Sequence, residues 1–132
     1  MKKIPIKDSK EIEKMRTSGK LTAEILNIIE EYLIPGITTS EIDLICYNYI
    51  IKKQKAIPAC LGYNGFPKSI CISINDVVCH GIPSKTQILK NGDIVNIDVS
   101  IIKNGYHTDA SKMFYIGQVS QIAHSLCVIT EK

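Results

Sequence analysis

Asn104-Gly105 lies between two long runs of alternating character, Asp93 to Ile102 and Tyr106 to Ile116. An Asn-Gly pair accepts the left-handed conformation at both central positions of a two-residue loop, and the twist of that loop suits the strands on either side. The pair therefore predicts a tight antiparallel hairpin with one register. Lys103 stands opposite Tyr106, Ser100 opposite Asp109, and Asp98 opposite Ser111. Val95, Ile97, Val99 and Ile101 form a core face, and Ile94, Asn96, Asp98 and Ser100 form the other. On the returning strand His107, Asp109, Ser111, Met113 and Tyr115 share one face, and Thr108, Ala110, Lys112, Phe114 and Ile116 share the opposite one.

In this register Asp98 and Asp109 are diagonal neighbours on one face, with Cβ atoms about 7 Å apart. A slip of one residue would send them to opposite faces. As ions they repel each other, and the hairpin alone leaves two readings open. They are exposed, hydrated carboxylates, or they are compensated by divalent cations, each touching one ion of a pair about 3.5–4 Å apart. Oxygen ligands suit a hard or borderline metal and do not choose among Mn, Fe, Co and Zn.

Upstream the period is helical. Asp8-Ser9-Lys10-Glu11 is a capping-box pattern. Ile12, Met15, Gly19, Ala23, Leu26 and Leu33 recur at helical spacing, broadened by Ile25, Ile28 and Ile29, until Pro35-Gly36 ends the run. Thr38-Thr39-Ser40-Glu41 repeats the cap, and Ile42, Ile45, Cys46, Tyr49 and Ile50 give a second apolar face ending near Lys53. Lys52 and Lys53 read as a solvated helix end, where cations suit the dipole. Ala56 to Gly65 is turn-rich, Lys68 to Ile74 alternates, and Gly81-Ile82-Pro83 is expected to leave the sheet. Ser120 to Lys132 reads as the start of another helix. Two helices followed by mainly antiparallel strands make an α+β arrangement, with the helices packed on one face of the sheet.

Composition narrows the function classes. With 45% hydrophobic and 22% charged residues the chain is an ordinary globular one. No apolar run approaches the roughly 20 residues of a membrane helix. A net charge of +3, scattered along the chain, does not call for a nucleic-acid partner. No apolar stretch follows Met1-Lys2-Lys3, so no secretion signal is expected. The five cysteines include no CxxC pair and read as reduced thiols in the cytoplasm.

Three further groups of residues could carry chemistry. His80 precedes Gly81 in a loop, where a histidine is functional or simply exposed. His107 shares the face of Asp109 but sits nearer the turn, which suits a supporting role better than that of a third metal ligand. Cys60, Tyr63, Phe66 and Cys71 could line a pocket for an apolar, sulfur-containing side chain, or could be ordinary packing.

These residues sit in longer stretches that resemble bacterial type I methionine aminopeptidase: Cys60-Leu-Gly-Tyr-Asn-Gly-Phe-Pro-Lys-Ser-Ile-Cys-Ile-Ser-Ile-Asn-Asp-Val-Val-Cys-His-Gly-Ile-Pro83, Asn91-Gly-Asp-Ile-Val-Asn-Ile-Asp98 and Gly105-Tyr-His-Thr-Asp109. The similarity runs from Glu11-Ile-Glu-Lys-Met-Arg16 to Ile129-Thr130. The resemblance implies half of a two-fold pita-bread fold and a metallo-aminopeptidase that removes the N-terminal methionine of nascent polypeptides. It implies two divalent metal ions (Co, Mn, Fe or Zn) with Asp98 and Asp109 among their ligands. His80 would be the catalytic and substrate-contacting histidine, and Cys60, Tyr63, Phe66 and Cys71 the substrate-binding wall. The implied setting is the cytoplasm, with ribosome association left open, no nucleic-acid or membrane partner, and monomeric full-length relatives. Asn64 stands where a histidine is common and Phe66 where a tyrosine is common. Thr108 replaces a usual glycine and is expected to crowd the backbone beside the metals.

Members of that family run to nearly twice this length. The resemblance places the remaining ligands, one histidine and two glutamates, in a second half beyond Lys132. Residues 1–132 are accordingly expected to be a single incomplete domain, the N-terminal half, whether as a fragment or as a truncated product. It should be inactive alone, and should be poorly soluble or self-associate through an uncovered face around Ile94, Met113 and the pocket residues. The rivals are a non-catalytic binding module of the same fold and a degenerate product. The intact Asp98, Asp109 and His80 speak against long-standing loss of catalysis.

Overall fold

Both helix starts are fixed by reciprocal side-chain caps. In the computed structural model, which describes residues 4–131, Asp8 accepts from the Glu11 N–H at 2.8 Å and Glu11 accepts from the Asp8 N–H at 2.9 Å. This opens α1, Ser9–Ile29. Thr38 and Glu41 make the same exchange at the start of α2, Thr39–Asn48. A short 3-10 turn, Glu30–Tyr32, follows α1, and the chain reverses at Gly36, whose φ of +100° suits glycine. After α2 a wider π-type turn, Tyr49–Lys53, is closed by the Gln54 N–H on the Tyr49 carbonyl. Lys52 and Lys53 are exposed as expected. The cation that satisfies the freed carbonyls comes from elsewhere: the Lys103 ammonium donates to Gln54 O at 2.6 Å and Lys55 O at 2.9 Å.

The expected apolar stripe of α1 needs correction in its first half. Ile12 is 40% exposed and Ala23 is exposed, while the buried face runs through Ser18, Thr22, Ile25, Leu26 and Ile29. Hydrophobicity alone could not choose Ser18 and Thr22. They are buried because the opposing strand offers hydrogen-bonding partners, which removes the cost of sequestering a hydroxyl.

The sheet is built on β3, Ile94–Lys103, which pairs with β4, Tyr106–Tyr115, over the whole length of both. Asn104 at φ +53° and Gly105 at φ +81° supply the left-handed pair that the turn needs. The register is the expected one: Lys103 faces Tyr106, Ser100 faces Asp109 and Asp98 faces Ser111. Two short strands share the other edge of β3. These are β1, Ile57–Pro58, opposite Ile101 and Ile102, and β2, Cys71–Ile74, opposite Val95 to Asp98. All the pairings are antiparallel. Val95, Ile97, Val99 and Ile101 are fully buried, in one core with Ile25, Ile29, Ile42, Cys46 and Ile50 of the helical layer. Helix α3, Gln121–Thr130, is capped by Ser120. It buries Cys127 but exposes Ile122, Leu126 and Ile129, and Lys132 lies outside the described residues.

Burial separates two isoleucines that the sequence pattern treats alike. Ile97→Ala should cost about 2–5 kcal/mol in urea denaturation, as a cavity at the sheet centre. Ile12→Ala should cost less than about 1 kcal/mol, because its side chain is already partly in water.

Candidate active site

The outer face of the β3–β4 hairpin carries the carboxylate pair. Asp98 and Asp109 project from the same face as diagonal neighbours, two register steps apart. Ser100, directly across from Asp109, donates its hydroxyl to Asp109 Oδ1 and so fixes that carboxylate. Sequence reasoning gave Ser100 no role, although the cross-strand register already placed it opposite Asp109. Burial and then the Asp109 charge push the Asp98 carboxyl above the usual range, and His80 opposes the shift. His80 is therefore close enough to be felt at Asp98. His107 stands opposite Ile102, nearer the turn, and is exposed.

A backbone contact that only glycine allows holds His80 in place. The Gly81 carbonyl accepts from the Ile72 N–H at 2.9 Å, and the Gly81 N–H donates to Ser73 Oγ at 3.1 Å. Gly81 therefore leaves regular pairing, as expected, but stays bonded to the edge of β2. A Cβ there would sit 2.0 Å from the Ile72 carbonyl oxygen. His80 itself takes φ +56°, a strained conformation for a residue with a side chain and the kind that clusters at functional sites.

Facing His80 is the loop between β1 and β2. Gly62, Asn64 and Gly65 all have positive φ, and asparagine tolerates that conformation better than most side chains. The loop is anchored behind by Asp43 of α2, which accepts from the Ser69 N–H at 2.9 Å and the Ser69 hydroxyl at 2.5 Å, with Lys68 at 3.5 Å. Between loop and sheet lies a cleft of about 540 Å³, within the usual range for small-ligand sites. Cys60, Tyr63, Phe66 and Cys71 line it together with His80 and Ile82. The structure thus assembles all four pocket candidates and His80 in one cleft. The Asp98 and Asp109 charges act directly on Cys60 and Cys71. The neighbouring Cys71 side chain lowers the Cys60 thiol from its ordinary value, and burial opposes the shift. Cys71 is pushed up by Cys60 and by burial.

Thr108 does not crowd this face. It lies one residue from Asp109 and so projects to the opposite side of the sheet, toward α1. There its hydroxyl meets Thr22 Oγ1 at 2.7 Å and Ser18 Oγ at 2.9 Å, and Ser18 also donates to the Tyr106 carbonyl. These contacts clamp the strand that carries Asp109 onto the first helix.

Two carboxylates pressed together on a rigid ladder, next to a histidine and an open cleft, form a donor set that a divalent cation would relieve. Their oxygens suit a hard or borderline ion. Among the described residues no group of three or more His, Cys, Asp or Glu side chains stands close enough to hold one.

The Asp98 shift fixes the sign of a stability effect. Its folded pKa lies above the unfolded value, so its contribution is full below the unfolded value near about 4 and is lost as pH rises through the folded one. Asp98→Asn should therefore raise the urea midpoint at pH 7. The gain should be below about 1 kcal/mol, because the carboxyl is partly solvent-screened. The difference from the parent should vanish in acid.

Residues 13–132 match Metallopeptidase family M24. The chain is 60% identical over 129 residues to the methionine aminopeptidase of Buchnera aphidicola subsp. Baizongia pistaciae, covering 98% of this chain and 48% of that protein. It is 56% identical over 129 residues to the methionine aminopeptidase of Escherichia coli K12, covering 98% and 49%. The crystal structure of methionine aminopeptidase from Rickettsia prowazekii superposes with a TM-score of 0.94 at 49% identity, over 98% of this chain and 51% of that one. The chain spans about half the length of the curated relatives it matches. Over that half it has the pita-bread fold of these aminopeptidases.

Proposed function

Because the chain belongs to metallopeptidase family M24, we propose that residues 1–132 are the N-terminal half of a methionine aminopeptidase catalytic domain. That domain would remove the first residue of nascent polypeptides in the cytoplasm, as they emerge from the ribosome. The observation that carries this reading is the Asp98–Asp109 pair set beside a cleft with sulfur and aromatic walls and a histidine on its margin.

Asp98 and Asp109 would hold two divalent ions, which supply Lewis acidity and a nucleophile at neutral pH when bound. Ser100 keeps the Asp109 carboxylate oriented toward the ion side of the sheet. The cleft takes the methionine side chain: Phe66 and Tyr63 offer ring faces or edges to its thioether, and Cys60 and Cys71 offer polarizable contacts of matching softness. Phe66 serves without a hydroxyl because the wall needs only an apolar ring. His80 sits where a hydrogen bond to the scissile amide would steady the charge that develops as the bond breaks. Gly81, bonded to β2, holds the His80 backbone at the margin of the cleft.

Two carboxylates leave most of a first coordination shell to water. On this reading the 132-residue chain alone is catalytically silent, and activity requires ligands from the remainder of a full-length enzyme. Purified residues 1–132 should release no methionine from a Met-Ala peptide with added Mn²⁺ or Co²⁺. A fusion of residues 1–132 to the unmatched remainder of the Escherichia coli relative should release it, and Asp98→Asn in that fusion should lower the rate at least about 100-fold. Chelator-sensitive turnover by the 132-residue chain alone would refute the requirement for further ligands. An active fusion lacking both aspartates would refute the site.

A further inference from the structure

Two of the five cysteines, Cys60 and Cys71, belong to the wall of the cleft. The sheet brings them together from distant parts of the loop. The Ala59 N–H bonds the Ser100 carbonyl at 2.9 Å, and Cys71 stands opposite Asp98. The segment that ends at Cys60 and the strand that begins at Cys71 therefore meet end to end along one edge of β3. Both side chains line the same cleft. Cys60 is partly exposed, Cys71 is buried behind it, and the cleft gives a small molecule access to both. The other three thiols lie elsewhere. Cys46 is in the core, Cys127 is the buried residue of α3, and Cys79 is exposed on the loop before His80.

We propose that Cys60 and Cys71 form an oxidisable dithiol, closed to a disulfide by exchange with a low-molecular-weight disulfide, such as oxidised glutathione, that enters the cleft. The Cys60 sulfur attacks one sulfur of the small disulfide, forms a mixed disulfide and expels one small thiolate. The Cys71 sulfur then attacks the Cys60 sulfur, forms the Cys60–Cys71 bond and expels the second. Two protein thiols are oxidised, one small disulfide is reduced to two thiols, and the two protons leave with them. Closure removes both thiol groups from the cleft wall and ties the base of the β1–β2 loop to β2, which narrows the cleft. The chemistry belongs to the two thiols and holds whether or not the cleft receives a methionine side chain.

The test treats the 132-residue protein with oxidised glutathione, quenches in acid and maps the peptides by mass. The Cys79→Ser variant runs alongside to remove the exposed thiol. Both proteins should yield a Cys60–Cys71 cross-linked peptide, lacking two hydrogens and restored by reductant. Cys71→Ser should stall at a single glutathione on Cys60. Cys60 and Cys71 remaining reduced in the parent, a persistent glutathione adduct on Cys60 there, or a cross-link through Cys79 would each overturn the proposal. The parent map alone decides it, so a variant that fails to fold does not rescue it.

Discussion

The Asn104-Gly105 turn sets the register on which the candidate site depends. Both residues occupy the left-handed region that a two-residue hairpin requires, and ten consecutive pairs follow from that constraint. Because side chains alternate with a period of two, one choice of register sends Val95, Ile97, Val99 and Ile101 to the core and Asp98, Ser100 and Asp109 to the outer face. A one-residue slip of one strand against the other would send Asp98 and Asp109 to opposite faces and turn either Phe114 of β4 or the four β3 residues out of the core. The hydrophobic face thus enforces the position of the polar one. Burial of four large side chains opposes a slip far more strongly than the repulsion of two carboxylates favours it.

The remaining walls of the site are held from behind by hydrogen bonds to other elements. Thr108, Ser18 and Thr22 join the back of β4 to α1. Asp43 ties the cleft loop to α2 through Ser69, and Gly81 ties the His80 loop to β2. Each tie lies on the far side of the feature it supports. The outer face is then free to carry like charges, left-handed backbone and exposed rings without losing its shape. The raised Asp98 pKa reflects burial first and the neighbouring Asp109 carboxylate second, both imposed by the framework.

Local chemistry made much of this legible in the sequence. The two capping boxes, the Asn-Gly turn and the alternation of β3 and β4 are short-range signals, and the structure has each where the residues put it. The resemblance grouped Cys60, Tyr63, Phe66, Cys71 and His80, and they do share one cleft. Features that depend on distant partners were not legible. Ser18 and Thr22 are buried because Thr108, some ninety residues on, supplies hydroxyl contacts, so the apolar stripe was drawn through Ile12 instead. Gly81 looked like a strand breaker, and its close approach to Ile72 depends on tertiary packing. The expected crowding at Thr108 was avoidable, because the pleat already put that residue on the opposite face from Asp109.

The central claim is that the hairpin presents Asp98 and Asp109 as one cation-binding pair, supported by neither His107 nor the cleft thiols. Titration of residues 1–132 with Mn²⁺, followed by the loss of free-ion signal in electron paramagnetic resonance, tests it directly. The account predicts weak saturable binding that disappears in Asp98→Asn and in Asp109→Asn, and persists in His107→Ala. Binding that survives loss of both aspartates, or that disappears with His107, would contradict it.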